Sequence, residues 1–143
     1  MSRLRPPRYV INFEDRDESE AELYPIAMER VRALVKPQRD VLTKQIHESC
    51  YWKHWDKRAA LYESIKEMRR VLVCSFVSKH LPFTFLPVGW VYSKELVVIP
   101  TESAKDFAVL QSSIHGVWVR HFSGTLKSDL SYSISDGLRT FPT

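Results

Sequence analysis

The feature that most constrains this chain is a change of hydrophobic period at Arg70. Before it, apolar residues recur at helical spacing. Leu23, Ala27, Val31 and Leu34 share one face, and Leu61, Ile65 and Met68 share another. From Arg70 to Ser78 the chain turns β-branched and apolar, the pattern of a central strand. Phe83–Leu86, Trp90–Tyr92 and Glu95–Pro100 read as further strands, with Pro87-Val88-Gly89 between the first two. Pro82, Pro87 and Pro100 fall at the edges of these runs, where a missing N–H is tolerated. Helical spacing then returns. Ser103 opens a Ser-x-x-Asp capping pattern with Asp106, and Phe107, Leu110, Ile114, Val117, Trp118 and Phe122 line one long helix stopped at Gly124. Gly116 inside that helix predicts a close neighbour. Helices, then strands, then one long helix give an α+β fold. Its sheet is expected to be mostly antiparallel (mixed), with about four to five strands packed by helices.

The flanks are less regular. Tyr9–Phe13 reads as a short strand or extended piece. Pro37 disfavours helical geometry at Lys36 and so predicts a helix end there, with a shorter helix from Gln38 to His47. Asp56 fits the N-cap of a helix running to about Arg69. The tail Thr125–Thr143 is polar, with Tyr132, Leu138 and Phe141 as anchors. No internal repeat is visible.

A length of 143 residues fits one domain with one real core. Apolar residues at 44% and charged residues at 27% exclude a disordered or collagen-like chain. The longest apolar runs, Val71–Cys74 and Leu96–Ile99, are too short to span a bilayer. The basic N-terminus has no apolar stretch of a secretory signal. Cys50 and Cys74 cannot build a disulfide framework, so reduced thiols and a cytoplasmic location are the expectation. The net charge of +4 is uneven: residues 14–22 hold six acids and one arginine, which leaves +9 on the remainder. That remainder suits a polyanion partner, although a solvated surface with one acidic segment explains it more simply.

Catalytic patterns are thin. His47, Cys50 and His54 supply three soft ligands or a Cys/His pair, with no second cluster nearby in sequence. Cys74 lies in an apolar strand and reads as packed. The four glycines are isolated, so no phosphate loop exists, and the run 14–22 lacks calcium-loop spacing. No catalytic residue, cofactor site or metal site is assigned.

Binding patterns are richer. Tyr51, Trp52, Lys53, His54 and Trp55 could stack on bases or grip phosphates; ordinary packing under the sheet edge is the simpler account of Trp52 and Trp55. Ser78, Lys79 and His80 leave a strand where they could reach a duplex, or form a solvated turn. In the segment Gly124–Ser133, if extended, Lys127, Asp129 and Ser131 share one face. Lysine donates to guanine O6 and N7, and a carboxylate accepts from cytosine N4, so such a pair can read both halves of a G·C pair. From spacing alone, an exposed ion pair of small worth remains the simpler account.

The ordered combination of residues resembles a known family. It runs from Arg5-Pro-Pro-Arg8 through Tyr24-Pro25, Glu29-Arg-Val, Val35-Lys-Pro-Gln-Arg39-Asp40, Tyr51-Trp52, Arg70–Val73 and Val77–His80. It continues with Phe107–His115, Leu126-Lys-Ser-Asp129, Tyr132-Ser133 and Thr140-Phe-Pro142. Over about Arg5–Pro142 the chain is similar to the target-recognition domain of MmeI-like (type IIL) restriction–modification proteins and related class I adenine DNA methyltransferases. The resemblance implies a module that recognises double-stranded DNA through the major groove. The chemistry would lie in methyltransferase and nuclease domains of the same parent chain, with S-adenosylmethionine as the parent's cofactor and adenine N6 as methyl acceptor. The chain holds neither Asn-Pro-Pro-Tyr nor Phe-x-Gly-x-Gly, so it reads as a non-catalytic piece of a longer parent. The resemblance also implies base-reading roles for Lys127 and Asp129, with Ser131 behind them and Lys94 and Glu95 as weaker candidates. Ser78, Lys79, His80, Lys53 and His54 stand as backbone-contacting or supporting residues. The rival readings are a protein-interaction module that docks on a methyltransferase and a small Cys/His hydrolase.

Overall fold

The structure, a computed structural model, describes residues 8–41, 50–54, 58–126 and 129–142. The Asp56 cap, and most of the Gln38–His47 helix, lie outside the described residues. The chain divides into two compact units, Pro6–Ala59 and Ala60–Thr143.

In the first unit, helix α1 (Glu18–Glu22) starts at a reciprocal cap. The Asp17 carboxylate accepts from the Glu20 N–H at 2.8 Å, and the Glu20 carboxylate accepts from the Asp17 N–H at 2.9 Å. Part of the acidic run is thus a helix start. Helix α2 spans Pro25–Leu34 and α3 spans Lys36–Asp40. Pro37 does not end the helical region as expected; it sits in the first turn of α3, where a missing N–H leaves nothing unpaired. The buried face of α2 is Met28 and Val31, flanked by Ala27 and Val35, while Leu23 and Leu34 are exposed. Tyr9–Phe13 forms no strand, and Phe13 is its one fully buried residue. Tyr51 and Trp52 close this small core, and the Trp52 indole N–H donates to the Arg16 carbonyl at 3.1 Å.

In the second unit, α4 (Ala59–Ile65) precedes β1 (Arg70–Ser75), β2 (Val77–Ser78), β3 (Thr84–Pro87) and β4 (Leu96–Ile99). Then come α5 (Ala104–Leu110), α6 (Ser113–Phe122), β5 (Thr125–Leu126) and β6 (Asp129–Ser131), and a π-helical turn at Ile134–Leu138. Among the described residues the strands form two antiparallel three-stranded sheets, ordered β3-β1-β4 and β2-β6-β5. The α+β class and the antiparallel sheet match the expectation.

Strand β1 is central and covered on both faces, with side chains alternating at period two. Leu72 and Cys74 pack with Val97, Leu110, Val119 and Tyr132. Val71 and Val73 pack with Ile65, Tyr92 and Val98 on the other side. Full burial of a side chain such as Leu72 contributes about 1.5–3 kcal/mol.

Five local expectations are corrected. The run Arg70–Ser78 is two strands in different sheets, split at Phe76. The Phe76 N–H donates to the Glu95 carbonyl and its carbonyl accepts from the Tyr132 N–H, both at 2.8 Å, so this residue ties one sheet to the other. Trp90–Tyr92 is not a strand. The Tyr92 N–H donates to the Tyr62 hydroxyl at 3.1 Å, and the Tyr92 hydroxyl donates to the Pro87 carbonyl at 2.8 Å, so side chains replace a ladder there.

The expected long helix is two helices broken at Gln111-Ser112. Ser103 caps the first through the Asp106 N–H (3.2 Å), and Ser112 caps the second through the His115 N–H (3.2 Å). The break resets the buried stripe to Leu110, His115 and Val119 and leaves Ile114 and Val117 about 70% exposed. Finally, α6 ends at an extended Ser123, not at Gly124, and the close approach belongs to Gly137, not Gly116. A Cβ on Gly137 would lie 2.7 Å from Ser123 Oγ, whereas Gly116 faces open space.

Candidate nucleic-acid interface

Strands β5 and β6 pair as a hairpin, Thr125 opposite Leu130 and Leu126 opposite Asp129. Leu130 points into the core, 5% exposed. Asp129 and Ser131 therefore share the opposite face of β6, both half-buried. Asp129 has no ion-pair partner among the described residues. Lys127 lies outside the described residues.

The same sheet brings in a second predicted segment. Val77 pairs with Ser131 and Ser78 with Leu130, so Ser78, Lys79 and His80 leave β2 directly beside β6. Ser78 is half-buried and its hydroxyl donates to the His80 carbonyl; Lys79 and His80 are exposed. The third segment, Lys94-Glu95, approaches through Phe76, whose N–H meets the Glu95 carbonyl. Both side chains are exposed, with Lys94 Nζ 3.9 Å from Glu95 Oε1. Three segments that are far apart in sequence thus meet around Phe76.

Lys53 and His54 belong to the other unit and are held by backbone carbonyls. Lys53 Nζ donates to the Asp15 carbonyl at 2.9 Å, and His54 Nε2 lies 3.1 Å from the Ile11 carbonyl. Arg39 also donates to the carbonyls of Cys50 (3.2 Å) and Lys53 (2.6 Å). Trp52 is packed, but in the core of the helical unit and not under the sheet edge; Trp55 lies outside the described residues.

At the root of the hairpin runs an open groove of about 540 Å³. Phe76, Gly124, Ser131, Ile134 and Arg139 line it, with Ser133 and Ser135 at one side. Phe76 and Ile134 are each 42% exposed. The Arg139 guanidinium is exposed and has no hydrogen-bond or ion-pair partner among the described residues. The Ser133 and Ser135 hydroxyls donate to the Asp136 carboxylate at 2.7 and 3.0 Å and hold it below the usual carboxylate range, Ser133 contributing most. Sequence reading missed Phe76 and Arg139. Arg139 is a lone base in a polar tail, and Phe76 looks like one more strand residue, so no spacing marks either.

Of the Cys/His alternative, Cys50 is half-buried and His54 Nε2 lies 3.1 Å from the Ile11 carbonyl. Cys74 is buried, and burial pushes its thiol up to about 12, which keeps it protonated and unreactive at neutral pH. His47 lies outside the described residues. Among the described residues no group of three His, Cys, Asp or Glu could hold a metal ion, and no helix is long and apolar enough to cross a membrane.

Comparison with known proteins gives one consistent result. The chain is similar to the type IIL restriction-modification enzyme MmeI, whose structure was solved in complex with DNA. The TM-score is 0.70 at 22% identity, and the match covers 92% of this chain but only 17% of that one. The chain thus spans about a sixth of the length of that enzyme, and the likeness lies in the fold. No curated protein matches the chain. Residues 5–143 match the family described as MmeI, target recognition domain. A match over nearly the whole length, on a fold whose sheets gather the hairpin and its neighbours around Phe76, makes this chain a member of the MmeI target recognition domain family.

Proposed function

We propose that this domain reads base pairs of double-stranded DNA from the major groove, and that the β5–β6 hairpin does the reading. The carrying observation is that Asp129 and Ser131 share the solvent side of β6 while Leu130 anchors the strand. Lys127 stands two residues earlier in the sequence. Lys127 donates to guanine O6 and N7, and Asp129 accepts from the N4 amino group of the paired cytosine. Lys94 and Glu95 reach the duplex beside them, and Ser78, Lys79 and His80 position its backbone. In this reading the domain does no chemistry. Methyltransferase and nuclease parts of a longer chain do, and the methyltransferase transfers the methyl group of S-adenosylmethionine to adenine N6. Membership of a target-recognition family supports the reading, as does likeness to an enzyme solved with DNA.

The test exchanges the two charges in the enzyme that carries this domain. Lys127→Glu with Asp129→Arg inverts the charge order, and the preferred pair at one target position should invert from G·C to C·G. A wrong pair sets like against like and costs about 1–3 kcal/mol. Each single change should weaken modification generally. An unchanged methylated motif, read by sequencing, would leave these residues as a surface ion pair.

A further inference from the structure

Of the residues that line the groove at the hairpin root, Ser131 alone belongs to the base-reading face of β6. The groove combines a guanidinium and a hydroxyl that have no side-chain partner among the described residues with an apolar floor. Arg139 supplies the charge, Ser131 the hydroxyl, and Phe76 and Ile134 the floor. A cation beside a hydrogen-bond donor suits a phosphate oxygen, and an exposed aromatic ring beside them suits the face of a sugar or base. The volume of about 540 Å³ lies within the range of ligand clefts. Asp136, next to the lining residue Ser135, is held by the Ser133 and Ser135 hydroxyls and does not line the groove.

The distance to the reading face matches a duplex. Asp129 and Ser131 are two strand residues apart, about 7 Å at strand spacing. The major groove is about 12 Å wide, so a side chain at its centre has a phosphate wall about 6 Å away. A strand carrying Asp129 at a base edge therefore brings Ser131, and the groove it lines, to the adjacent backbone.

We propose that this groove is a second DNA site, taking one sugar-phosphate unit of the strand that borders the base pair read by β6. Arg139 holds the phosphate, Ser131 donates to it, and Phe76 and Ile134 pack against the deoxyribose. The site registers the hairpin on the duplex and carries no sequence information of its own. It rests on the reading of the hairpin given above.

Duplex binding by the full chain tests it, measured by fluorescence anisotropy across a salt series on a random-sequence duplex pool. One phosphate contact adds about 0.9 to the slope of log affinity against log salt, or about 3.5-fold over a fourfold rise in salt. Arg139→Gln should make the slope shallower by about one unit and leave the bases selected from the pool unchanged. Arg139→Lys should keep most of the slope. Arg139 is exposed, so an unchanged melting temperature of both variants certifies the fold. Arg139→Gln with an undiminished slope overturns the groove proposal, and so does a variant that selects different bases; either leaves the hairpin reading intact. Wild-type chain that binds no duplex at all overturns both.

Discussion

His115 Nε2 lies 3.1 Å from the hydroxyl of Tyr132, and both residues are buried, one on α6 and one just past β6. The other ring nitrogen, Nδ1, is buried without a hydrogen-bond partner among the described residues. Phe141 packs edge-on against the imidazole at a centroid distance of 4.6 Å, and Phe83 lies 6.0 Å away. This pair pins α6 to the end of β6. The imidazole cannot accept a proton cheaply, because it is buried among aromatic rings. Burial lowers the His115 pKa below the ordinary 6.5.

The first expected outcome is a loss of stability on mild acidification. Where the folded value is depressed, the unfolded chain binds more protons, so stability is complete above about 6.5 and falls as pH drops toward the folded value. The urea midpoint should decline from pH 7 to pH 5, and His115→Gln should flatten that decline. Asp17 and Asp136 act in a lower window. Hydroxyls of Ser19 and Ser133 respectively are the main causes that hold them below 3.8, and their contribution fades only beneath that value. Tyr132→Phe should cost about 0.5–1.5 kcal/mol at pH 7, the range for one hydrogen bond.

Two glycines should respond oppositely to alanine. Gly137→Ala places a methyl 2.7 Å from Ser123 Oγ and 3.5 Å from Val119, and should destabilise by about 1–3 kcal/mol. Ser123→Ala in the same chain should recover part of that loss, since it removes the clashing oxygen. It cannot recover all of it, because Ser123 Oγ also accepts from the Ser133 N–H at 3.2 Å. Gly116→Ala sits in a helix with open space around it and should stabilise by about 0.8–1 kcal/mol. Denaturant melts of the three variants check the set.

Gln111 should prove more important than a surface residue at a helix break suggests. Its carboxamide oxygen accepts from the Phe83 N–H at 2.9 Å and its amide donates to the Leu81 carbonyl at 3.2 Å. Gln111→Ala leaves both backbone groups unpaired beside a buried phenylalanine, at a cost of about 1–3 kcal/mol. Gln111→Glu keeps the acceptor and loses the donor, so it should fall between the two in a thermal melt.

Thiol labelling should separate the two cysteines. Cys74 is buried and its thiol is pushed up to about 12, so an alkylating reagent should modify it only after unfolding. Cys50 is half-buried and should label first. Mass spectrometry of a timed reaction gives the order, and fast labelling of Cys74 in the native chain would contradict the packing described here.

Local chemistry made much of this protein legible in its residues. The unbroken apolar run at Val71–Cys74 announces a strand with both faces covered, and Ser103 with Asp106 announces a helix start, because a period or a cap involves only neighbours in the chain. The order of helical and strand periods sufficed for the α+β class. Tertiary structure alone decided the rest. Residues 70–78 are two strands because Phe76 bonds Glu95 on one side and Tyr132 on the other, partners remote in sequence. Ile114 and Val117 face outward although they fit the helical stripe, because the break at Gln111-Ser112 turns His115 and Val119 inward. The groove exists because β2 pairs with β6, which sets Phe76 beside Ser131 and Arg139. Periodicity fixes which residues a single element buries; which elements meet depends on pairings across the chain, where backbone hydrogen bonds and packing choose among many sequence-compatible partners.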